Sequence, residues 1–298
     1  MSLIMKLEEF YNKHYKKLLI IPLLMLLFSI IYLYNFNKNH GDLFEKDVSL
    51  KGGISATLYL DKEINIDKIR SLLEKELGSS NIFVRSLSGL ENAKNGFIVE
   101  TSNIETDKLK NILEKNLDIE LNENNFFVEE TSSRIGQGFY KEMIWALFIA
   151  FILMGIVIFI TYRRFIPSII VIFSAFFDII STIAVINLLS IRISSAGIAA
   201  LVLLIGYSVD TDVLLTTRVL KRREGTVWER ISSSFKTGIM MTATTIGAVL
   251  VGYIFSKSLV FKEVFIIIMI GLLLDILATY IMNAGLLKIY MTKKYNEN

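Results

Sequence analysis

"LIGYSVDTDVLL", residues 204–215, places two aspartates one residue apart inside a segment otherwise apolar enough to sit in lipid. A carboxylate at the centre of a bilayer costs about 2.5–3.5 kcal/mol even on insertion scales, so such residues are rare and mark function. The rest of the chain supports a membrane setting. Its 298 residues are 53% hydrophobic, with only two prolines, and the mean hydropathy is positive; this is too apolar for an ordinary soluble protein of the size. Six apolar runs approach the roughly 20 residues that cross a bilayer as a helix. They lie near 18–34, 143–162, 167–189, 196–219, 237–255 and 264–288. The first follows Lys16-Lys17 but has no small-residue cleavage site after Tyr34, which points to a retained anchor.

Lysines and arginines set orientation, because they stay on the cytoplasmic side. Lys6 to Lys17, Arg163-Arg164, Arg218 to Lys236 and Lys288 to Lys294 all fall on one side, whereas the short connections opposite hold Arg192, Lys257 and Lys262. Both termini are therefore expected in the cytoplasm. The expected layout is an N-terminus with the first helix (1–34), one large external domain (35–142), a five-helix membrane region (143–290) and a short tail (291–298). The basic residues are accounted for by topology, and the external segment holds 14 Lys/Arg against 19 Asp/Glu, so no nucleic-acid surface is expected.

The external segment contains a repeat: "DKIRSLLEKEL" (67–77) and "DKLKNILEKNL" (107–117). Apolar residues at helical spacing make each an amphipathic helix. Strand patterns precede them at 54–60 and 96–102 and follow them at 81–87 and 124–131. The order βαββαβ predicts a ferredoxin-like α+β domain with both helices on one face of a four-stranded sheet. "KGG" (51–53) lacks P-loop spacing and leads into a strand, so it reads as a turn or bulge. The fold class is thus an α-helical polytopic membrane protein of six helices, with this domain between the first two.

Asp178, Asp210 and Asp275 fall near the middle of the third, fourth and sixth runs, and Asp212 lies about half a turn nearer the cytoplasm. Positions 210 and 212 differ by about 200° around a helix, so they cannot face one partner. Gly206 is one turn before Asp210 and would admit a close neighbour, which favours Asp210 as the inward acid. The fifth run aligns Gly238, Thr242 and Thr245 on one face, with Gly252 further along and Lys236 at the entrance. Such a stripe packs helices and can hold water; Thr211 is a further polar candidate. Arg218 and Lys236 read most simply as snorkelling anchors. Buried carboxyls that take up and release protons suit a proton-driven machine.

The absence of cysteine excludes disulfides and thiolate metal sites. His14 and His40 flank the first run without a second ligand at metal spacing, and neither a metal nor a cofactor is expected.

"LIGYSVDTDVLLTTRVLKRREGT" (204–226), the Gly52-Gly53 pair opening the first strand, the Thr/Gly-rich fifth helix and the six-span layout together resemble the SecD/SecF family of protein-export membrane proteins, of archaeal SecF type. That family belongs to the superfamily of the resistance-nodulation-division pumps. The resemblance implies an auxiliary role in Sec-dependent export. The implied partners are a SecD-like six-helix protein, the Sec translocation channel, an unfolded preprotein on the outer face and the lipid bilayer, with the proton gradient as driving force. The bacterial signature has Asn, Asp and Thr where this chain has Asp210, Thr211 and Asp212, and the family's fifth-helix arginine falls on Lys236. A small-molecule or lipid exporter working as a homodimer is the alternative on this architecture. An intramembrane aspartyl protease built on Asp178 and Asp210 is disfavoured, because Phe177-Asp178 and Tyr207-Ser208-Val209-Asp210 match neither protease motif. An enzyme is not expected.

Overall fold

The computed structural model describes the chain except for residues 1–2, 61–64, 78–81, 88–94, 102–103, 223, 257 and 297–298; Asn81, Arg223 and Lys257 lie outside the described residues. Two compact units emerge, one of Met1–Glu45 with Ile144–Asn298 and one of Lys46–Met143.

The smaller unit is built from α3 (Val48–Lys51), β1 (Gly53–Leu60), α4 (Ile66–Leu77), β2 (Phe83–Leu87), β3 (Asn95–Thr101), α5 (Thr106–Leu117) and β4 (Phe126–Thr131). Its strands form one antiparallel sheet in the order β2-β3-β1-β4. Strict alternation in β1 turns Ile54, Ala56, Leu58 and Leu60 to one face. There they meet Ile69 and Leu73 of α4 and Leu109 and Leu113 of α5, so both amphipathic helices bury their apolar stripes on the same side. The "KGG" stretch ends α3 and opens β1, with φ of +83° at Gly52 and +131° at Gly53, values that favour glycine.

The larger unit holds α1 (Leu3–Leu18), α2 (Ile20–His40), α7 (Phe165–Leu188), α8 (Ser195–Lys221), α9 (Val227–Phe255), α10 (Leu259–Leu277) and α11 (Ala284–Asn296), together with most of α6 (Ser133–Tyr162). A π-helical turn, Ala278–Asn283, joins α10 to α11. Among the described residues, six helices are long and apolar enough to cross a membrane: Glu8–His40, Ile135–Tyr162, Phe165–Leu188, Ser195–Lys221, Val227–Phe255 and Val260–Lys293. Several run past the apolar cores read from sequence, because polar terminal turns such as "SRIGQGFYKE" at the start of α6 carry helical winding without adding hydropathy. Local chemistry fixes the ends. Ser194 caps α8 by accepting from the Gly197 amide at 3.2 Å, and Thr226 and Glu229 form a capping box on α9.

Of these helices α7 is the most enclosed, with 67% of its apolar window buried against 11% for that of α6. At one end of the unit, the Asn187 amide donates to the Leu43 carbonyl at 2.8 Å and the Ile193 amide to the Glu45 carbonyl at 2.8 Å. At the other end the Lys288 ammonium lies 4.6 and 4.5 Å from the rings of Tyr11 and Tyr15, and Tyr11 packs on Trp228. The basic connections therefore gather with α1 and α11 at this second end.

Candidate functional site

Three of the four membrane aspartates converge. Asp178 on α7, Asp212 on α8 and Asp275 on α10 are 1%, 0% and 0% exposed. Their neighbours are hydroxyls and one amide from α7, α8 and the π-helical turn, and the Asp178 and Asp275 carboxyls also meet each other. The Ser208 hydroxyl donates to Asp178 Oδ2. Thr211 Oγ1 lies 2.9 Å from Asp275 Oδ2 and 2.8 Å from the Ser208 carbonyl. Asp212 Oδ1 accepts from Asn283 Nδ2 at 2.6 Å, Thr279 Oγ1 at 2.9 Å and Ser174 Oγ at 3.2 Å. Among the described residues no lysine or arginine pairs with any of the three carboxyls, and no group of His, Asp or Glu side chains is arranged to hold a metal ion.

The π-helical turn explains how one helix reaches both acids. In α-helical winding each step of four residues advances about 40° around the axis, so a third residue in the series 275, 279, 283 drifts off the shared face. The wider turn over Ala278–Asn283 offsets that drift and keeps Thr279 and Asn283 aimed at Asp212. Thr279 Oγ1 also lies 3.0 Å from Asp275 Oδ1. One hydroxyl hydrogen makes only one well-directed bond. When Thr279 donates to Asp212, the contact with Asp275 becomes a bond only if Asp275 itself carries the hydrogen and donates to Thr279. Thr279 thus stands between the two carboxyls as a single bridging hydroxyl.

The preference for Asp210 as the inward acid is corrected. Asp210 is exposed on the opposite face of α8, while Asp212 is fully buried. The inward face of α8 is set by Leu204, Ser208, Thr211, Asp212, Leu215, Thr216 and Val219, a stripe at helical spacing that already contains three hydroxyl residues. Gly206 misled, because it lies on the outward face, where a Cβ would meet no atom within 4 Å. An Asp178–Asp210 pair does not form, since the partner that α8 offers Asp178 is Ser208.

The other candidates separate in the same way. Thr211 is in the cluster. Arg218 is half-buried and its guanidinium donates to the Ser233 carbonyl at 2.6 Å and the Ser233 hydroxyl at 2.9 Å; it ties α8 to α9 and is more than a snorkelling anchor. Lys236 is exposed. Thr242 is buried in α9, and Thr245 donates to the Met241 carbonyl of its own helix. A Cβ on Gly238 would fall 1.6 Å from Tyr280 Oη, and one on Gly252 would fall 2.7 Å from the Phe265 ring, so both glycines let an aromatic side chain lie against α9. Ser174, Ser208, Thr279 and Asn283 were not anticipated. Thr279 and Asn283 follow Asp275 at steps of four, a signal hidden by the apolar residues between them.

The arrangement is that of a multi-pass membrane protein with a polar, acid-rich centre. Comparison with known proteins specifies it further. Residues 108–293 match the model of the family described as Protein export membrane protein SecD/SecF, C-terminal. Proteins named protein-export membrane protein SecF are similar along nearly the whole chain. That of Methanolacinia petrolearia is 35% identical over 93% of this chain and 94% of its own length, and that of Pyrococcus furiosus is 35% identical over 97% and 95%. This chain belongs to the SecD/SecF family of protein-export membrane proteins. A crystal structure of SecDF, a translocon-associated membrane protein from Thermus thermophilus, shares the fold with a TM-score of 0.76 at 16% identity, covering 95% of this chain. This chain spans 38% of that one. A structure of SecDF in a super-membrane-facing form gives a TM-score of 0.52.

Proposed function

We propose that this chain is the SecF-type subunit of a Sec export assembly, pairing with a SecD-like protein beside the translocation channel to pull or release preprotein on the outer face. In this reading both termini are cytoplasmic, because the basic connections gather with them, and the unit of Lys46–Met143 is an external ferredoxin-like domain that handles the emerging chain. Proton flow through the buried acids supplies the work, and no cofactor or nucleic acid takes part.

One observation carries the reading: the Thr279 hydroxyl lies between Asp212 Oδ1 and Asp275 Oδ1 in a cluster where no cation is paired with the acids among the described residues. Three anionic carboxylates in such a place would be prohibitively costly, so the cluster balances its charge with protons. A proton entering at Asp212 reverses both hydrogen bonds of Thr279 and frees one at Asp275, without moving a heavy atom far. Because the donors come from α7, α8 and the π-helical turn, each protonation state favours a different packing of these elements, which couples the relay to motion.

Secretion of a reporter preprotein by cells carrying Asp178→Asn, Asp210→Asn, Asp212→Asn or Asp275→Asn tests this. Asp212→Asn and Asp275→Asn are expected to reduce secretion to the level of cells lacking the chain, with Asp210→Asn milder. Normal secretion by both of the first two variants, at normal abundance, would rule out the relay.

A further inference from the structure

One short loop is bonded to every helix that carries a buried acid. Residues 189–194 join α7, which holds Asp178, to α8, which holds Asp212. The amides of Leu189, Ser190 and Ile191 donate back to the Val185, Asn187 and Ile186 carbonyls of α7 at 3.0, 3.0 and 3.1 Å. The Ser194 amide donates to Glu263 Oε1 at 2.7 Å; Glu263 opens α10, the helix of Asp275. Gly197 leaves space for that carboxylate, since a Cβ there would fall 2.2 Å from Glu263 Oε1. The same loop holds the stretch that follows α2. The Ile193 amide donates to the Glu45 carbonyl at 2.8 Å, Asn187 Nδ2 donates to the Leu43 carbonyl at 2.8 Å, and Arg192 Nε lies 3.6 Å from Glu45 Oε2. Phe44, between these two anchored residues, is buried. The next residue, Lys46, begins the second unit.

We propose that this loop is a stiff mechanical joint, and that Asn187, Arg192 and Glu45 are positioning residues that make the entry to Lys46–Met143 move with the acid-bearing helices. A loop whose amides are already bonded has little slack to absorb a displacement. A chain held at residues 43 and 45 can neither slide nor rotate apart from what holds it. The contacts divide the task. Asn187 is nearly enclosed, so its bond to Leu43 supplies strength. The ion pair is partly open to water, with side chains 15% and 34% exposed, so it supplies direction. Glu263 ties α10 to the same point. The joint stays closed while the helices shift, which distinguishes it from a latch that must open. The proposal rests on the functional reading above, in which motion of these helices does work on the exported chain.

The test uses secretion of the reporter preprotein by cells carrying the full chain. Asn187→Ala and Glu45→Arg are expected to lose most secretion at normal abundance, and Glu45→Arg combined with Arg192→Glu to recover it. The chain contains no cysteine, so Glu45→Cys with Arg192→Cys offers the deciding variant, with the cysteine-free parent treated alongside. Untreated, it should secrete poorly; a short bis-maleimide, added to protein already in the membrane, should restore secretion. A long, flexible bis-maleimide keeps the parts attached but transmits no displacement, and should leave secretion low. Equal rescue by both reagents would reduce the loop to a structural tether and overturn the proposal. So would normal secretion by the untreated pair, or no rescue by the short reagent. Asp212→Asn is read beside these variants. Normal secretion there, with secretion lost in the joint variants, removes the relay and leaves the joint; the opposite pattern removes the joint and leaves the relay.

Discussion

The two units of this protein place most of their polar groups in opposite ways, although β3 of the sheet unit buries Glu100 and Thr101. In the sheet unit, Ile54, Leu58, Leu73, Leu109 and Leu113 form an apolar interior, and the charged residues of α4 and α5 lie outside. In the membrane unit the interior holds Asp178, Asp212, Asp275, Thr279 and Asn283, while leucines, isoleucines and phenylalanines cover much of the outside. Water drives the first arrangement by expelling apolar surface. Lipid offers no such force between helices, so the second depends on close packing and on hydrogen bonds that hydrocarbon cannot supply. The same kind of substitution should therefore act through stability in one unit and through function in the other.

The largest effect should come from the polar interior. Thr279→Val keeps the branched shape and removes the bridging hydroxyl, so reporter secretion should fall as far as in Asp212→Asn, while Thr279→Ser should retain most of it. If Thr279→Val secretes normally, the membrane unit's polar centre is structural and the contrast with the sheet unit loses its functional half.

Next comes the apolar interior. Leu73→Ala or Leu109→Ala should destabilise the sheet unit by about 2–5 kcal/mol. Limited proteolysis of the full chain in membranes should then cut within Lys46–Met143 far sooner, leaving the membrane helices protected. Loss of both units together would show that they do not fold independently.

A smaller effect is expected at the contact of α9 with the π-helical turn. Gly238→Ala puts a methyl group into Tyr280 Oη and should cost about 1–3 kcal/mol, read as a lower melting temperature in detergent. Tyr280→Phe should recover part of it, since the hydroxyl that clashes has no hydrogen-bond partner among the described residues. The smallest effect belongs to Thr245→Ala, which loses only a bond to its own helix and should change the melting free energy by less than about 0.5 kcal/mol.

Much of this was legible in the sequence, for reasons that differ by unit. Period-two and period-3.6 patterns are strong in the sheet unit, and its helices fall where the repeat "DKIRSLLEKEL" and "DKLKNILEKNL" places them. Apolar length alone marks the spans, and depth counting brings Asp178 and Asp275 to one level. The angular separation of positions 210 and 212 was legible too, but which of them faces inward was not. A glycine signals close approach without saying whether the neighbour comes from the same chain, and Gly206 points outward. Nor did the hydropathy of "LLLDILATYIMNAG" betray the wide turn that carries Thr279 and Asn283 to Asp212, because π winding has no compositional mark of its own.

That turn bears on how chain length is tolerated. An ordinary membrane helix that loses one residue swings everything beyond the deletion by about 100° and misaligns its whole far end. Within Ala278–Asn283 the same loss would convert a broad loop of backbone into a regular one, leaving Leu287 and Met291 close to their present seats while withdrawing Asn283 from its carboxylate. This stretch is thus the place where the sixth span can shed a residue with the least displacement of its far end, with the acid centre registering the change.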